Sequence, residues 1–344
     1  MKVAVLGAGG FIGSHLVEHL LHQTDHQVLG VDVTDEKLAN VDTTGMTFHL
    51  GDVTKSPELL EEAVASSDCV VNLVAYANPS LYVTEPIQVV DLNLHGNLLV
   101  VDACRRHKRR IIQFSSAEIY GKPREGETAF IEDETDFTYG PVHRQRWIYA
   151  NAKQMLERIL FAYGTSGELA FSVIRPFNVI GPRLDYLVPA GTLGGPRVFM
   201  HFMSALLSGG PIHLVDSGTA TRSFTHANDA ARGITAILEQ PERANNQAFN
   251  IGNPSNNLTI RELADRMIRI YEKLTGTRSE CEIINISGET FYGEGYDDAG
   301  RHPPSIEKMA GLGWTPKYDL DTTLTMTIEH HLQHADTSKA ANAS

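Results

Sequence analysis

MKVAVLGAGGFIG, residues 1–13, reads as a buried strand that runs through a glycine turn into a helix. Apolar residues 3–6 lead into glycines at 7, 10 and 13, and an amphipathic run, 11–21, follows. Gly7 permits the tight turn. Gly10 lets the backbone approach a phosphate, and Gly13 lets the helix pack close to the sheet. Amides at such a helix start, together with the helix dipole, favour a pyrophosphate, which brings Phe11 and Ile12 into the same binding turn. The same glycines also make an ordinary strand-to-helix turn, so context decides. A second apolar run, 27–31, ends at Asp32, nineteen residues after Gly13. An acid there accepts the hydroxyls of an adenosine ribose and repels a 2′-phosphate, which predicts a dinucleotide site for NAD rather than NADP.

With 344 residues the chain can bury a large core and is expected to form two lobes. The net charge of −13 disfavours nucleic acid and anionic membrane as partners. Cys69, Cys104 and Cys281 are far apart and show no metal-ligand spacing, which fits a reducing cytoplasm. The chain opens on a strand, so no signal peptide is expected, and no apolar run approaches the roughly 20 residues of a membrane span. Residues 336–344 are small and polar and are expected to be a disordered tail. His330, His331 and His334 have no carboxylate or cysteine at ligand spacing and read as an exposed helix end, with no metal.

Strand and helix patterns alternate through the first half. Strands are expected at 45–50, 69–74, 110–114 and 169–174. Helices are expected at 57–65, 85–106 and 147–163. This alternation predicts an α/β fold, a Rossmann-type doubly wound parallel sheet. After Arg175 the elements shorten and Gly and Pro become frequent, which predicts a smaller α/β substrate-binding lobe. The division expected is 1–174 plus about 223–252 for the cofactor, and 175–222 plus 253–335 for the substrate. In open sheets ligands bind beyond the carboxyl ends of the strands. The polar clusters at 7–13, 32, 52, 75–82, 115–120 and 175–178 therefore share one rim.

Tyr149 and Lys153 lie four residues apart on an expected helix, on one face. Tyrosine, with an ordinary pKa near 10, is a poor base at neutral pH. A neighbouring ammonium stabilises the phenolate and lowers that pKa. The pair can then take a proton from a sugar hydroxyl while hydride leaves for a nicotinamide. Ser115-Ser116-Ala117-Glu118 follows the fifth strand. Ser116 can hold the reacting oxygen in line, and Glu118 can act as a second acid or base or orient a substrate carboxylate. Strand-end capping and an exposed loop acid are the structural alternatives.

The glycine triplet, Asp32, Asp52-Val53, Asn93 with Asn97, the 115–121 run and Tyr149/Lys153 resemble the extended short-chain dehydrogenase/reductases that act on nucleotide sugars, the NAD-dependent epimerase/dehydratase family. Gly140-Pro141-Val142, residues 146–149, 175–178 and 181–183 resemble the bacterial UDP-glucuronate decarboxylases of lipid A modification and the plant UDP-apiose/UDP-xylose synthases. Residues 250–254 and 291–298 strengthen the second likeness. The resemblance implies that Asp52 and Val53 border the adenine and that Ala75, Tyr76 and Pro176 line the cofactor. It implies that Ala77, Tyr82 and Ser116 lie against the sugar, that Asn178, Arg197 and Arg222 serve the diphosphate and uridine, and that Tyr296 closes over the sugar or its phosphates. It also implies a homodimer formed through the two long helices.

Three departures bear on the reaction. Ala117 stands where the decarboxylases carry Ser, or the apiose synthases Cys, before the glutamate, and alanine there is more usual in 4-epimerases. Ala77 stands where the apiose synthases carry a cysteine. An ungapped match puts His302 at the family's catalytic arginine, and Arg301 is adjacent. The expected reaction is NAD-dependent oxidation of a UDP-hexuronic acid, UDP-glucuronic acid first, to a 4-keto intermediate. Decarboxylation to a UDP-pentose or UDP-4-ketopentose is favoured over 4-epimerisation, and apiose formation ranks lower. A noncatalytic NAD-binding sensor is the alternative from another class.

Overall fold

A computed structural model describes residues 1–189, 191–195, 197–297 and 300–341, with side chains described through 334. The strands are β1 (Lys2–Leu6), β2 (Gln27–Asp32), β3 (Thr47–Leu50), β4 (Cys69–Asn72), β5 (Arg110–Phe114), β6 (Phe171–Pro176), β7 (Val179–Ile180), β8 (Ile212–Val215), β9 (Thr221–Ser223), β10 (Thr225–His226), β11 (Gln247–Ile251), β12 (Asn257–Thr259) and β13 (Ile283–Ile286). Seven of them form one parallel sheet in the order β11-β6-β5-β4-β1-β2-β3.

The inner strands are mostly apolar because both faces are covered, and their buried polar residues Asn72 and Gln113 bond each other (2.9 Å). Val3 and Val5 of β1 enter one core layer, and Ala4 and Leu6 the other. The first layer is closed by α1 (Phe11–Gln23), and the second by α2 (Pro57–Ala65) and helices that follow β4. The expected single helix over 85–106 is instead three pieces preceded by a further turn. These are α3 (Pro79–Thr84), α4 (Pro86–Val90), a π-helical turn at Asp91–Gly96, and α5 (Asn97–His107). The widened turn aims Asn93 at both backbone groups of Tyr76 (3.1 and 3.0 Å), and Asn97 Nδ2 at the carbonyl of Val74 (3.1 Å). Wide turns of this kind recur at functional sites, and here two amides fix the loop after β4.

Helix α6 (Ile148–Thr165) packs beside α4 and α5. The smaller lobe contains α7 (Val198–Ser208) and the pairs β8/β13 and β9/β12. Between these, α8 (Ala227–Glu239) returns to pack on α1, the short α9 (Pro241–Ala244) follows, and β11 adds to the edge of the main sheet beside β6. The expected return near 223–252 is therefore a seventh strand. Helix α10 (Ile260–Thr275) starts on a Thr259/Glu262 capping box, and the short α11 (Gly288–Tyr292) and α12 (Glu307–Gly311) lead to α13 (Leu320–Ala341). The tail expected from 336 is helical backbone as far as Ala341, since its alanines favour helix, while 342–344, like Asp298 of the 291–298 segment, lie outside the described residues. Among the described residues no helix is long and apolar enough to cross a membrane.

Candidate active site

Gly7 has φ +89°, a backbone angle costly for any other residue. A Cβ on Gly13 would sit 2.0 Å from the Gly7 carbonyl oxygen, so the helix start can approach the turn only without a side chain. Gly9 is equally constrained and escaped the sequence reading: a Cβ there would lie 1.8 Å from the Thr34 oxygen. The Asp32 carboxylate accepts the amides of Gly9 (2.9 Å) and Thr34 (3.3 Å), and burial raises its pKa. Gly10 caps α1 with no side chain bonded to the first turn and no acid in it. The amides of that turn are left for a ligand, and a groove lined by Gly7, Gly10, Phe11, Ile12 and Gly13 opens above them, with Ala75, Tyr76 and Ala77 opposite. A dinucleotide pyrophosphate fits this cradle. Asp52 turns its carboxylate onto Thr54 and Lys55, and Val53 packs into the core, in the segment that follows β3, the neighbour of β2 and Asp32.

The groove continues into a cavity whose walls include Ser116, Glu118, Tyr149, Lys153, Pro176 and Arg301. Tyr149 and Lys153 are 4% and 1% exposed on the inner face of α6. Tyr82 stacks on Tyr149, with ring centres 4.5 Å apart and planes 6° from parallel. Ser116 hydrogen-bonds Tyr149 and accepts the Glu118 amide (3.1 Å). Lys153 Nζ donates to the Phe114 carbonyl (3.0 Å) and lies 6.0 Å from the Tyr149 ring centre. Burial pushes Tyr149 up to about 12, against the Ser116 hydrogen bond, and pushes Lys153 down to about 8. The expected lowering of the tyrosine is therefore not a property of the protein alone. Desolvation outweighs one ammonium that is spent on a carbonyl.

Glu118 keeps its charge in this cavity through its arginine neighbours. Burial works to raise its pKa, but Arg146, Arg301 and Arg222 pull it down to about 2. Arg146 Nη2 and Arg301 Nη2 both donate to its Oε2, at 2.5 and 2.7 Å. Arg301 also donates to the Gly121 carbonyl (3.0 Å). His302 faces elsewhere, edge-on to Phe130 at 5.5 Å. Of the two neighbours, it is Arg301 that lines the cavity. Arg146 was quoted in the sequence but given no role. Its place three residues before Tyr149, on the same helical face, was the signal available.

A third cavity adjoins, lined by Asn178, Arg197, Arg222 and Tyr296, with Arg146 and Tyr292. Arg197 borders all three spaces. Asp185, absent from the sequence reading, takes its guanidinium at 2.9 and 2.7 Å. Asn178 holds φ +27° and donates to the Ser223 carbonyl (3.1 Å). Tyr296 stacks on Tyr292 with ring centres 4.2 Å apart. Phe291, His201 and His213 add an aromatic wall that periodicity did not reveal, because it is assembled from three separate elements.

The model of the NAD-dependent epimerase/dehydratase family matches residues 3–252. UDP-D-apiose/UDP-D-xylose synthase 1 of Arabidopsis thaliana is 38% identical over 368 aligned positions, covering 100% of this chain and 94% of that one. The crystal structure of PbgP3 from Burkholderia pseudomallei superposes with a TM-score of 0.87 at 32% identity, over 98% of each chain. The UDP-glucuronic acid 4-epimerase of Bacillus cereus, solved with UDP-glucuronic acid and NAD, gives a TM-score of 0.79 at 22% identity, over 97% of this chain and 100% of that one, and shares the fold.

Proposed function

The chain belongs to the NAD-dependent epimerase/dehydratase family, and from that premise we propose that it oxidises a UDP-hexuronic acid, UDP-glucuronic acid first, at C4 and then removes its carboxylate. Tyr149 takes the proton of the C4 hydroxyl, Ser116 holds that oxygen in line, and the Lys153 ammonium supports the phenolate. Bound NAD supplies the hydride acceptor. The C4 ketone is β to the C6 carboxylate, so the C5–C6 bond can break with its electrons drawn into the carbonyl. The single observation that carries this reading is the Glu118–Arg301–Arg146 cluster against the Tyr149 cavity. The two guanidinium groups, shared between ionised Glu118 and an arriving substrate carboxylate, orient the latter, and the Glu118 charge beside it favours its departure as CO2. Protonation at C5 gives a UDP-4-ketopentose with the hydride still on the cofactor, and return of that hydride to C4 gives a UDP-pentose.

The likeness to the Arabidopsis synthase over the whole chain supports the UDP-uronate assignment. Residues 1–174 with about 223–252 form the cofactor domain in this reading, and 175–222 with 253–335 hold the nucleotide sugar. Three free cysteines, two of them buried, fit a reducing cytoplasm.

A second reading, 4-epimerisation, draws on Ala117, whose small side chain lines the cavity and leaves a keto sugar room to turn. The test is purified protein with UDP-glucuronic acid and NAD, followed by product mass. Loss of one CO2 supports decarboxylation. Unchanged mass with a new retention time supports epimerisation, and absence of turnover overturns both. Tyr149→Phe is expected to retain NAD while losing about 10³-fold in kcat; full turnover by that variant removes the tyrosine from the mechanism.

A further inference from the structure

The buried face of α6 does not end at Lys153. One turn on, Glu157 is 3% exposed, and Tyr149, Lys153 and Glu157 form one stripe at a spacing of four. A carboxylate so buried needs a partner. Arg175 of β6 supplies it, with Nη2 donating at 2.7 Å and Nε at 3.3 Å to both oxygens. Arg175 is itself fixed. Its Nη1 donates to the Tyr120 hydroxyl and to the Glu132 carbonyl, both at 2.9 Å. Tyr120 donates onward to Asn250 Oδ1 (2.8 Å), and the Asn250 amide donates to Glu132 Oε1 (2.8 Å). The network thus anchors α6 to β6 and β11. Neither Glu157 nor Arg175 lines the cavity that holds Tyr149, so neither touches the reacting atoms.

We propose that Glu157 is a positioning residue for proton transfer: clamped by Arg175, its carboxylate keeps the buried Lys153 charged beneath Tyr149. This rests on the reading of Tyr149 and Lys153 as the proton-transfer pair. Burial pushes Lys153 down, and the Glu157 charge acts against it. The other groups around the lysine are the Phe114 carbonyl at the end of β5, Tyr149 on its own helix, and Ser116 and Tyr82 beyond the phenol. Those facing Glu157 are Arg175 and, by charge, Tyr120 and Tyr139; Glu132 lies behind the arginine. The ion pair is oriented. Glu157 shares a helix face with the lysine, and Arg175 approaches from the sheet, so the negative end lies toward the ammonium.

The test follows Lys153 directly in full-length, NAD-loaded protein carrying ¹³C-labelled lysine, with its resonance identified by its loss in Lys153→Arg. In Glu157→Gln the titration midpoint of Lys153 is expected to fall by about one pH unit. The high-pH decline of kcat should move down equally, with KM unchanged. Glu157→Asp should recover part of the shift. The double variant Glu157→Met/Arg175→Met removes the ion pair without stranding a charge, and it should show a smaller shift in the same direction if the single variant does not fold. An unmoved midpoint overturns the proposal, as does a uniform fall of kcat with an unchanged pH profile. Because the titration needs no substrate, a shifted midpoint alongside no turnover of UDP-glucuronic acid would refute the assigned reaction and leave this inference standing.

Discussion

Glu118 owes its charge to its neighbours. A carboxyl in that cavity would be pushed toward neutrality by burial, and two guanidinium groups reverse the sign of the shift. It therefore stays ionised across the neutral range and can repel an arriving carboxylate or orient it, but has no proton to give until the arginines are engaged elsewhere. Arg301 is the partner that also ties this site to Gly121 and Thr221. Its replacement by alanine is expected to lower kcat by about 10²–10³-fold, while His302→Ala, which only trims a ring contact with Phe130, should change kcat less than twofold. Steady-state rates of the two variants decide it, and equal losses would return the role to the pair. The sequence alone left this register open because adjacent residues on an irregular segment have no periodicity to fix which one faces inward. Tyr149 and Lys153 were legible by spacing. Their protonation was not, since desolvation depends on what packs over α6, above all Tyr82.

Among the elements, the clearest readings were those closed by local signals: helix Pro57–Ala65 begins on a proline, and β5 matches 110–114. The segment after β4 was less legible. Its break into α3, α4 and a π-helical turn depends on Asn93 and Asn97 reaching the preceding loop, a tertiary contact that helical periodicity does not encode. The basic run Arg105–Arg110 has an explanation at this scale too. Arg109 donates to the Ala65 carbonyl at the end of α2, and Arg110 to the Ile237 and Leu238 carbonyls in the last turn of α8. Helix ends that carry partial negative charge converge on this side of the sheet, and cations there satisfy their free carbonyls. The opposite rim carries the glycine turn and the start of α1, and Gly9 measures how tightly it is built. Gly9→Ala must displace the Thr34 backbone, at a cost of about 1–3 kcal/mol. NAD affinity should fall at least about tenfold, as read by fluorescence titration alongside thermal unfolding. Gly126→Ala is the control: its φ of +85° brings strain, but nothing lies within 4 Å of the added atom, so NAD binding should be unchanged. Equal affinities in both variants would refute the cradle argument.

For the whole molecule, one helix joins the chemistry to the outer surface. The inner face of α6 buries Tyr149, Lys153 and Glu157, while its outer face leaves Met155 49% exposed; on the neighbouring helices Leu99 of α5 is 47% exposed and Ile87 of α4 69%. Long apolar side chains exposed on three neighbouring helices are of the kind that two copies can bury against each other by a twofold contact. The doubly wound parallel sheet followed from the alternating patterns, whereas its strand order and β11 as the seventh, edge strand depend on pairing that the patterns do not encode. The smaller lobe could not be drawn in advance, because its two-stranded pairs join segments far apart in sequence. The apolar residues expected on the two long helices fall instead on α4, α5 and α6, since the first of those helices is broken at Asp91–Gly96. If their outer face is the dimer contact, it also holds from behind the helix that carries Tyr149 and Lys153. Leu99→Glu/Met155→Glu would bring charges into an apolar contact, and light scattering at micromolar concentration should change from the mass of a dimer to that of a monomer. Activity per chain in this variant should fall, and thermal unfolding should come earlier, because α6 loses its outer support while every group lining the cavity is intact. A monomeric wild type removes the premise, and a monomeric variant with unchanged activity and stability would show that α6 is held by its own chain alone.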